Sequence, residues 1–132
     1  MECIVHIGTE KTGSTSLQRF LSLNRSSLLE NGIAYTKTLG ETVNNGICLL
    51  SYSTERRDNL TQKINVVSDT DFRQKQQKLK RRFKNEIAKI VRSGAVKKFI
   101  ISSELIQSRL KTQKDVERLR SLLVDELGFD KI

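Results

Sequence analysis

The residues best suited to chemistry lie near the start of the chain, between two glycines and just beyond them. Gly8 and Gly13 enclose a short loop that contains Lys11 and Thr12, and hydroxyl residues occupy positions 14–16. An apolar run precedes the loop and helical spacing follows it, which predicts a strand, an anion-binding loop and the start of a helix. Helix N-termini present unpaired N–H groups and the positive end of the helix dipole. The segment therefore predicts a site for a phosphorylated or sulfated nucleotide.

The loop differs from the phosphate loop of ordinary NTPases. That loop places a lysine directly after its second glycine, followed by a serine or threonine that binds magnesium. Here Ser14 follows Gly13, and the lysine is displaced to Lys11. Thr15 could offer a hydroxyl to magnesium, but no aspartate closes a later strand in the manner such enzymes need. The spacing thus disfavours a metal-dependent NTPase.

Residues 11–18 read KTGSTSLQ, and this segment resembles the 5′-phosphosulfate loop of the sulfotransferase family. The similarity is greatest to bacterial sulfotransferase-like proteins with a KTGTTSLQ signature. Ser14 of this chain stands where that signature has the more usual threonine, and it keeps the hydroxyl group. Segments 24–25, 28–29 and 31–35 also look similar to that family. The resemblance implies a transferase that moves a sulfuryl group from 3′-phosphoadenosine 5′-phosphosulfate (PAPS) to a hydroxyl acceptor, with a carbohydrate as one candidate.

The same resemblance implies roles for individual residues. Lys11 would neutralise the leaving phosphate, and Glu104, just after a predicted strand, would act as the general base. The alternative for Glu104 is structural, either as a cap or as an ion-pair partner of Lys11 or Arg109. Serines 102 and 103 are expected to be hydrogen-bonding supports, and no metal is required. The expected cofactor-binding residues are Gly8, Lys11, Thr12, Gly13, Ser14, Thr15 and Ser16.

One part of the family pattern is missing. Sulfotransferases carry a later strand that ends in arginine, followed by a serine on the next helix, and together these bind the 3′-phosphate of the cofactor. The sequence ends at Lys131 and Ile132, where that strand is expected to begin. The chain therefore resembles the N-terminal part of a sulfotransferase, and its activity in isolation is left open.

Periodicity predicts the elements that must position these residues. Strands are expected at 3–7, 33–36 and 97–102, and helices at 15–29, from Asp69 or Thr70 to Ser93, and at 112–127, with 129–132 entering another strand. Alternating strands and helices predict one α/β domain over 1–132, a truncated, P-loop NTPase-like, three-layer α/β/α fold with a mainly parallel sheet. Ligands of such sheets bind at the carboxyl ends of the strands. The loop at 8–16 and the segment at 102–104 are expected to meet there.

The middle of the chain, from 38 to 68, has a weaker pattern. Asn44, Asn45 and Gly46 indicate a turn, and 47–52 fits either a short helix or a short strand. Such a stretch in a nucleotide-dependent transferase is typical of an acceptor-binding region or lid. A loop without chemistry is the alternative.

Positive charge is concentrated in one segment. Between Asp71 and Lys98 there are eleven basic and two acidic residues, which accounts for the whole formal net charge of +9. A basic face of this kind attracts polyanions such as nucleic acid, acidic lipid headgroups or sulfated and uronic polysaccharide, unless it is only a solvated helix face. Aromatic residues are scarce in the segment, so no base-stacking platform is evident.

Composition narrows the remaining classes. No apolar run is long enough for a membrane helix, and the start of the chain lacks the features of a signal peptide, so a cytoplasmic protein is expected. Cys3 and Cys48 are too few for a disulfide framework or a zinc site, and His6 is either structural or a phosphate contact. Two other functions remain open. One is a nucleotide or small-metabolite kinase with a deviant phosphate loop, and the other is a non-catalytic polyanion-binding module.

Overall fold

The computed structural model describes residues 1–9 and 13–132 and has a mixed α/β fold. Its sheet contains three strands, β1 (Glu2–His6), β2 (Ile33–Tyr35) and β3 (Lys98–Ser102), in the order β1–β3–β2. Both pairings are parallel. The prediction of an α/β fold with a parallel sheet is therefore confirmed, and the three strands lie within one residue of their predicted bounds at each end.

The hydrophobic core covers one face of this sheet. Cys3 and Ala34 are both in register with Phe99, so the three side chains share a face, and all three are buried. The Phe99 ring contacts the rings of Phe83 and Phe129, with centroid separations of 5.9 and 5.4 Å. On the opposite face the cover is thinner, because Ile4 remains 40% exposed. The two faces are thus unequally covered.

The helix predicted over 15–29 is two helices, α1 (Ser14–Leu23) and α2 (Arg25–Glu30). The break is at Asn24, whose side-chain amide donates to the Phe20 carbonyl at 2.8 Å, as does its own backbone N–H at 3.1 Å. Asparagine competes in this way with the regular helical ladder. The apolar residues at helical spacing in this segment do not all face the core. Leu21 is buried, Leu28 is half-buried, and Leu17, Phe20 and Leu29 are exposed.

The segment 38–68 packs into the core. Its first helix, α3 (Gly46–Ser51), is buried at every residue, and α4 (Asn59–Lys63) follows. Asp58 caps α4 by accepting hydrogen bonds from the N–H groups of Leu60 and Thr61, at 2.9 and 3.0 Å. Burial of α3 shows that this segment is part of the core; its role, as an acceptor-binding region or lid or as a loop without chemistry, stays a prediction.

The longest helix, α5 (Asp69–Ser93), was predicted correctly in its extent. Its N-cap is Ser68 rather than Asp69 or Thr70, since the Ser68 hydroxyl accepts from the N–H of Asp71 at 3.1 Å. Gly94 ends the helix with φ +66°, a left-handed conformation that glycine adopts without strain. Phe83 and Ile87 face the core, whereas Val91 of the predicted stripe is exposed.

The last part of the chain returns to β1. Helices α6 (Leu105–Arg109) and α7 (Gln113–Ser121) are followed by a π-helical turn, Leu122–Glu126. Lys131 then forms one parallel bridge with Glu2 on the outer edge of β1. The expected strand entry at 129–132 is thus a single bridge. No helix in the described ranges is long and apolar enough to cross a membrane.

Candidate functional site

The glycine-bounded loop joins the carboxyl end of β1 to the start of α1. Lys11 and Thr12, both expected to bind the cofactor, lie outside the described residues. Gly13 adopts φ +81°, and a Cβ built there would meet no atom within 4 Å among the described residues. Its carbonyl accepts from the N–H groups of Ser16 and Leu17, at 3.1 and 3.5 Å. The backbone before α1 is thus turned and open, as close approach of a ligand requires.

The first turn of α1 retains free donors. Among the residues described, the backbone N–H groups of Ser14 and Thr15 have no acceptor, and Gly13 supplies no side-chain cap. Such N–H groups bind anions at helix N-termini. The side chains of Thr15 and Ser16 are exposed, whereas that of Ser14 is buried.

Glu104 and Ser14, ninety positions apart, form a side-chain hydrogen bond. The Ser14 hydroxyl donates to Glu104 Oε2 at 2.7 Å. Glu104 is the N-cap residue of α6 but makes no side-chain capping bond, and the carboxylate nearest to Arg109 is Asp58, at 4.0 Å. Within the described ranges Glu104 Oε1 accepts no hydrogen bond. The pairing brings the candidate base to the first residue of α1, because β1 and β3 are adjacent parallel strands.

His6 and Ser102 form a second link between the same strand ends. His6 Nδ1 lies 2.8 Å from Ser102 Oγ, and the N–H of Ser103 donates to the His6 carbonyl at 3.1 Å. A Cβ on Gly8 would lie 3.0 Å from the His6 ring, which is a close contact. Glycine avoids this contact at the position where the chain leaves β1. The sequence offered no base partner for Ser102. The tertiary structure supplies one, but Ser102 is fully buried and serves as a hydrogen-bonding support.

Two asparagines that sequence reasoning assigned only to a turn hold the end of β3. Asn44 and Ser102 exchange two hydrogen bonds, from the Asn44 N–H to the Ser102 carbonyl at 2.9 Å and from the Ser102 N–H to Asn44 Oδ1 at 3.0 Å. Asn45 Oδ1 accepts from the Ser103 hydroxyl at 2.7 Å. These contacts position the residues that precede Glu104. Two consecutive asparagines before an apolar run were the available signal.

Gln18 is a third residue that the sequence did not single out for the site. Its side chain is fully buried, and neither amide atom has a hydrogen-bond partner in the part of the chain that the structure describes. Because Gln18 lies one helical turn after Ser14, the two side chains share a face of α1. An unsatisfied buried amide costs about 1–3 kcal/mol, so a polar partner at this position would be favourable.

A charged cluster fastens the segment 52–58 to the start of α7. Asp115 is fully buried and accepts from Ser53 N–H and Oγ, at 3.0 and 2.8 Å, and from the Arg56 guanidinium. Burial opposes ionisation, but these donors outweigh it and hold the pKa of Asp115 well below its ordinary value. Arg56 also stacks over the Tyr52 ring at 4.4 Å. The cluster links α7 to the segment 38–68, which also contains Asn44 and Asn45.

Other reactive groups contribute no chemistry here. Burial raises the pKa of the Cys3 thiol to about 12 and that of the Cys48 thiol to about 11, so both remain protonated. In residues 1–9 and 13–132 no group of three or more His, Cys, Asp or Glu side chains is arranged to hold a metal ion. The candidate site therefore consists of the strand ends, the start of α1 and Glu104.

No known family model, curated protein or solved structure matches this chain.

Proposed function

We propose that the chain is a sulfotransferase-like nucleotide-binding protein whose site lies at the carboxyl ends of β1 and β3. The observation that carries the proposal is the 2.7 Å hydrogen bond between Ser14 and Glu104. It joins the first helical residue of the KTGSTSLQ segment to the acidic residue that the family resemblance nominates as the base.

The residues present are suited to the phosphosulfate group. The N–H groups of Ser14 and Thr15, which have no acceptor among the described residues, provide donors for its anionic oxygens, each charge-assisted bond contributing about 1.5–3 kcal/mol. The open backbone at Gly13 allows close approach. The buried Gln18 amide, without a partner among the described residues, offers donor and acceptor atoms on the same helix face.

In the proposed reaction the donor PAPS supplies an activated sulfuryl group. Glu104 would take the proton from the acceptor hydroxyl, through Oε1, while Ser14 holds Oε2. The acceptor oxygen forms the new bond to sulfur as the bond from sulfur to the 5′-phosphate oxygen breaks. Lys11 would neutralise the charge left on that phosphate. The products are a sulfate ester and 3′-phosphoadenosine 5′-phosphate, and a carbohydrate is one acceptor class to test.

The test is calorimetric titration of 3′-phosphoadenosine 5′-phosphate into the chain and into three variants. Lys11→Ala removes a loop charge, and Ser14→Ala removes the hydroxyl that contacts Glu104. Ser22→Ala is the matched control, because its hydroxyl contacts only the Arg19 carbonyl within α1. We expect saturable binding that Lys11→Ala weakens by roughly tenfold or more, since one charged contact is worth about that much.

Three results would overturn the proposal. One is the absence of binding to a chain that circular dichroism shows to be folded, together with no turnover of PAPS. Another is binding of ATP with magnesium but not of the phosphoadenosine nucleotide, which would favour a kinase with a deviant loop. Equal loss of binding in Lys11→Ala and Ser22→Ala would place the nucleotide elsewhere.

A further inference from the structure

The basic residues of α5 divide into two groups. Four of them form ion pairs: Arg73 with Glu55, Lys75 with Asp71 at 2.9 Å, and both Lys80 and Lys84 with Glu126 at 3.1 Å. The other five have no ion pair with any residue that the structure describes. These are Lys78, Arg81, Arg82, Lys89 and Arg92, and we call them the unpaired basic stripe.

The stripe is straight and exposed. Lys78, Arg82, Lys89 and Arg92 follow one another at steps of four, seven and three residues, which is the spacing of one helix face. From the first to the last the stripe runs about 21 Å along the helix axis. Helix α5 is held in place by its buried residues Phe83 and Ile87. The cations are therefore presented on a rigid support rather than on a loop.

Two amide side chains accompany these cations, Asn85 between Arg82 and Lys89 and Gln74 one turn before Lys78. Gln74 and Asn85 occupy positions on the same face, both are exposed, and neither makes a hydrogen bond to another described residue. Beside them a groove of about 540 Å³ is lined in part by Arg82, Asn85 and Lys89, with Lys37 from the loop after β2. The surface thus offers charged and neutral donors in one row.

The carboxylates in this groove are engaged elsewhere. Glu86 accepts hydrogen bonds from the Thr36 hydroxyl and from the N–H groups of Lys37 and Thr38, at 2.7, 2.9 and 3.2 Å. Glu41 pairs with Arg25 and Lys37, at 3.3 and 3.4 Å. Neither forms an ion pair with the stripe. The positive charge of α5 is consequently available to an external anion.

We propose that the unpaired basic stripe binds an acidic polysaccharide, a linear polymer that carries carboxylate or sulfate groups together with hydroxyls. Lysine and arginine complement the anionic groups, and the amides of Gln74 and Asn85 on the same helix face complement the hydroxyls. Single-stranded nucleic acid fits less well, because the aromatic residues of α5, Phe72 and Phe83, are buried and provide no surface for base stacking. Duplex DNA is bound through its phosphates and is therefore a comparison in the test. The binding surface does not include the proposed nucleotide site.

The test compares two triple variants with the same loss of charge on the same helix. The first, Lys78→Gln with Arg82→Gln and Lys89→Gln, removes three cations from the stripe. The control, Arg73→Gln with Lys80→Gln and Lys84→Gln, removes three cations that are already paired, on another face of α5. Binding of fluorescent heparin and polygalacturonate fragments is measured by anisotropy at several salt concentrations, without nucleotide, beside neutral dextran and duplex DNA.

We expect the stripe variant to bind both acidic polymers roughly tenfold more weakly and to lower the salt slope by about two to three. The control should stay within about threefold of the unmodified chain, since counterion release depends on contacts rather than on net charge alone. Equal losses in the two variants would overturn the proposal, as would absent binding or tighter binding to duplex DNA. Because no nucleotide is present, these results are independent of the test in the preceding subsection.

Discussion

At the scale of single residues, Gln18 is the most unusual side chain in the fold. It is as buried as any core residue, yet its amide has no partner in the described part of the chain. Gln76 of α5 is also buried, but its amide donates to the Leu49 carbonyl at 2.7 Å and accepts from Arg118 at 3.3 Å. The two glutamines therefore provide a direct comparison between an unsatisfied and a satisfied amide.

We predict that Gln18→Met raises the free energy of unfolding of the ligand-free chain by about 1–3 kcal/mol. The methionine side chain has a similar volume to glutamine but carries no desolvated amide. Gln76→Met should lower the same quantity, since it leaves Leu49 and Arg118 without their partner. Urea denaturation followed by circular dichroism measures both. A loss of stability in Gln18→Met as large as that in Gln76→Met would show that the Gln18 amide is satisfied.

Glu104 shows which features of the site the sequence predicts and which it does not. Its place directly after a buried strand made it a candidate for the site. Its hydrogen-bond partner could not be predicted, because Ser14 lies ninety positions away and meets it only through the pairing of β1 with β3.

At the scale of elements, the start of α1 depends on the conformation of Gly13. Its φ is positive, and a Cβ built on it would meet no atom of a described residue within 4 Å. Gly94, at the end of α5, has a similar φ of +66° and equally open surroundings. The second glycine is therefore a control for backbone strain, because it ends a different helix.

We predict that Gly13→Ala and Gly94→Ala each lower the free energy of unfolding by about 1–2 kcal/mol, the cost of a left-handed conformation for a residue with a Cβ. Only Gly13→Ala should also weaken nucleotide binding, because its backbone strain lies directly before the N–H groups of Ser14 and Thr15, whereas Gly94 lies at the end of another helix. Chemical denaturation and calorimetry are measured on the same samples. Equal binding by both variants would remove Gly13 from the site.

Helices differ in how well the sequence predicted them. The extent of α5 was predictable because its apolar stripe and its terminal glycine are local signals. The division at Asn24 was not, since the apolar spacing continues through it and the departure of its backbone from helical values, to φ −104° and ψ 19°, leaves no signal in that spacing.

At the scale of the whole molecule, the segment 38–68 links the site to the rest of the core. It supplies the buried helix α3, the asparagines that hold the end of β3, and the cluster around Asp115. Its polar composition suggested an acceptor-binding lid or a loop. Polar residues of this segment such as Asn44 and Thr61 are buried with hydrogen-bond partners, which composition alone did not predict.

The Asp115 cluster makes this assembly sensitive to acid. Its pKa is lowered in the folded chain relative to the ordinary value of 3.8, so its stabilising effect is complete above that value and is lost as the pH falls toward the folded pKa. We predict that stability falls between about pH 5 and pH 2. Asp115→Asn should cost about 2–3 kcal/mol at pH 7 and show a shallower pH dependence.

Urea denaturation across this pH range tests the prediction. Asp125→Asn is the control, because Asp125 is exposed and has no ion pair with any described residue. If Asp115→Asn kept the full acid dependence of the unmodified chain, the lost stability would have to come from other carboxyl groups.

The sequence by itself determined what depends on near neighbours. The strand, glycine-bounded loop and helix start at 2–23, the length of α5 and the concentration of positive charge on it follow from local spacing and side-chain type. The tertiary structure decided the contacts between distant positions: Glu104 with Ser14, His6 with Ser102, Asn44 with the end of β3, and the burial of α3. It also decided which cations of α5 are paired. The physical reason is that these contacts depend on strand order and packing, which periodicity along the chain does not encode.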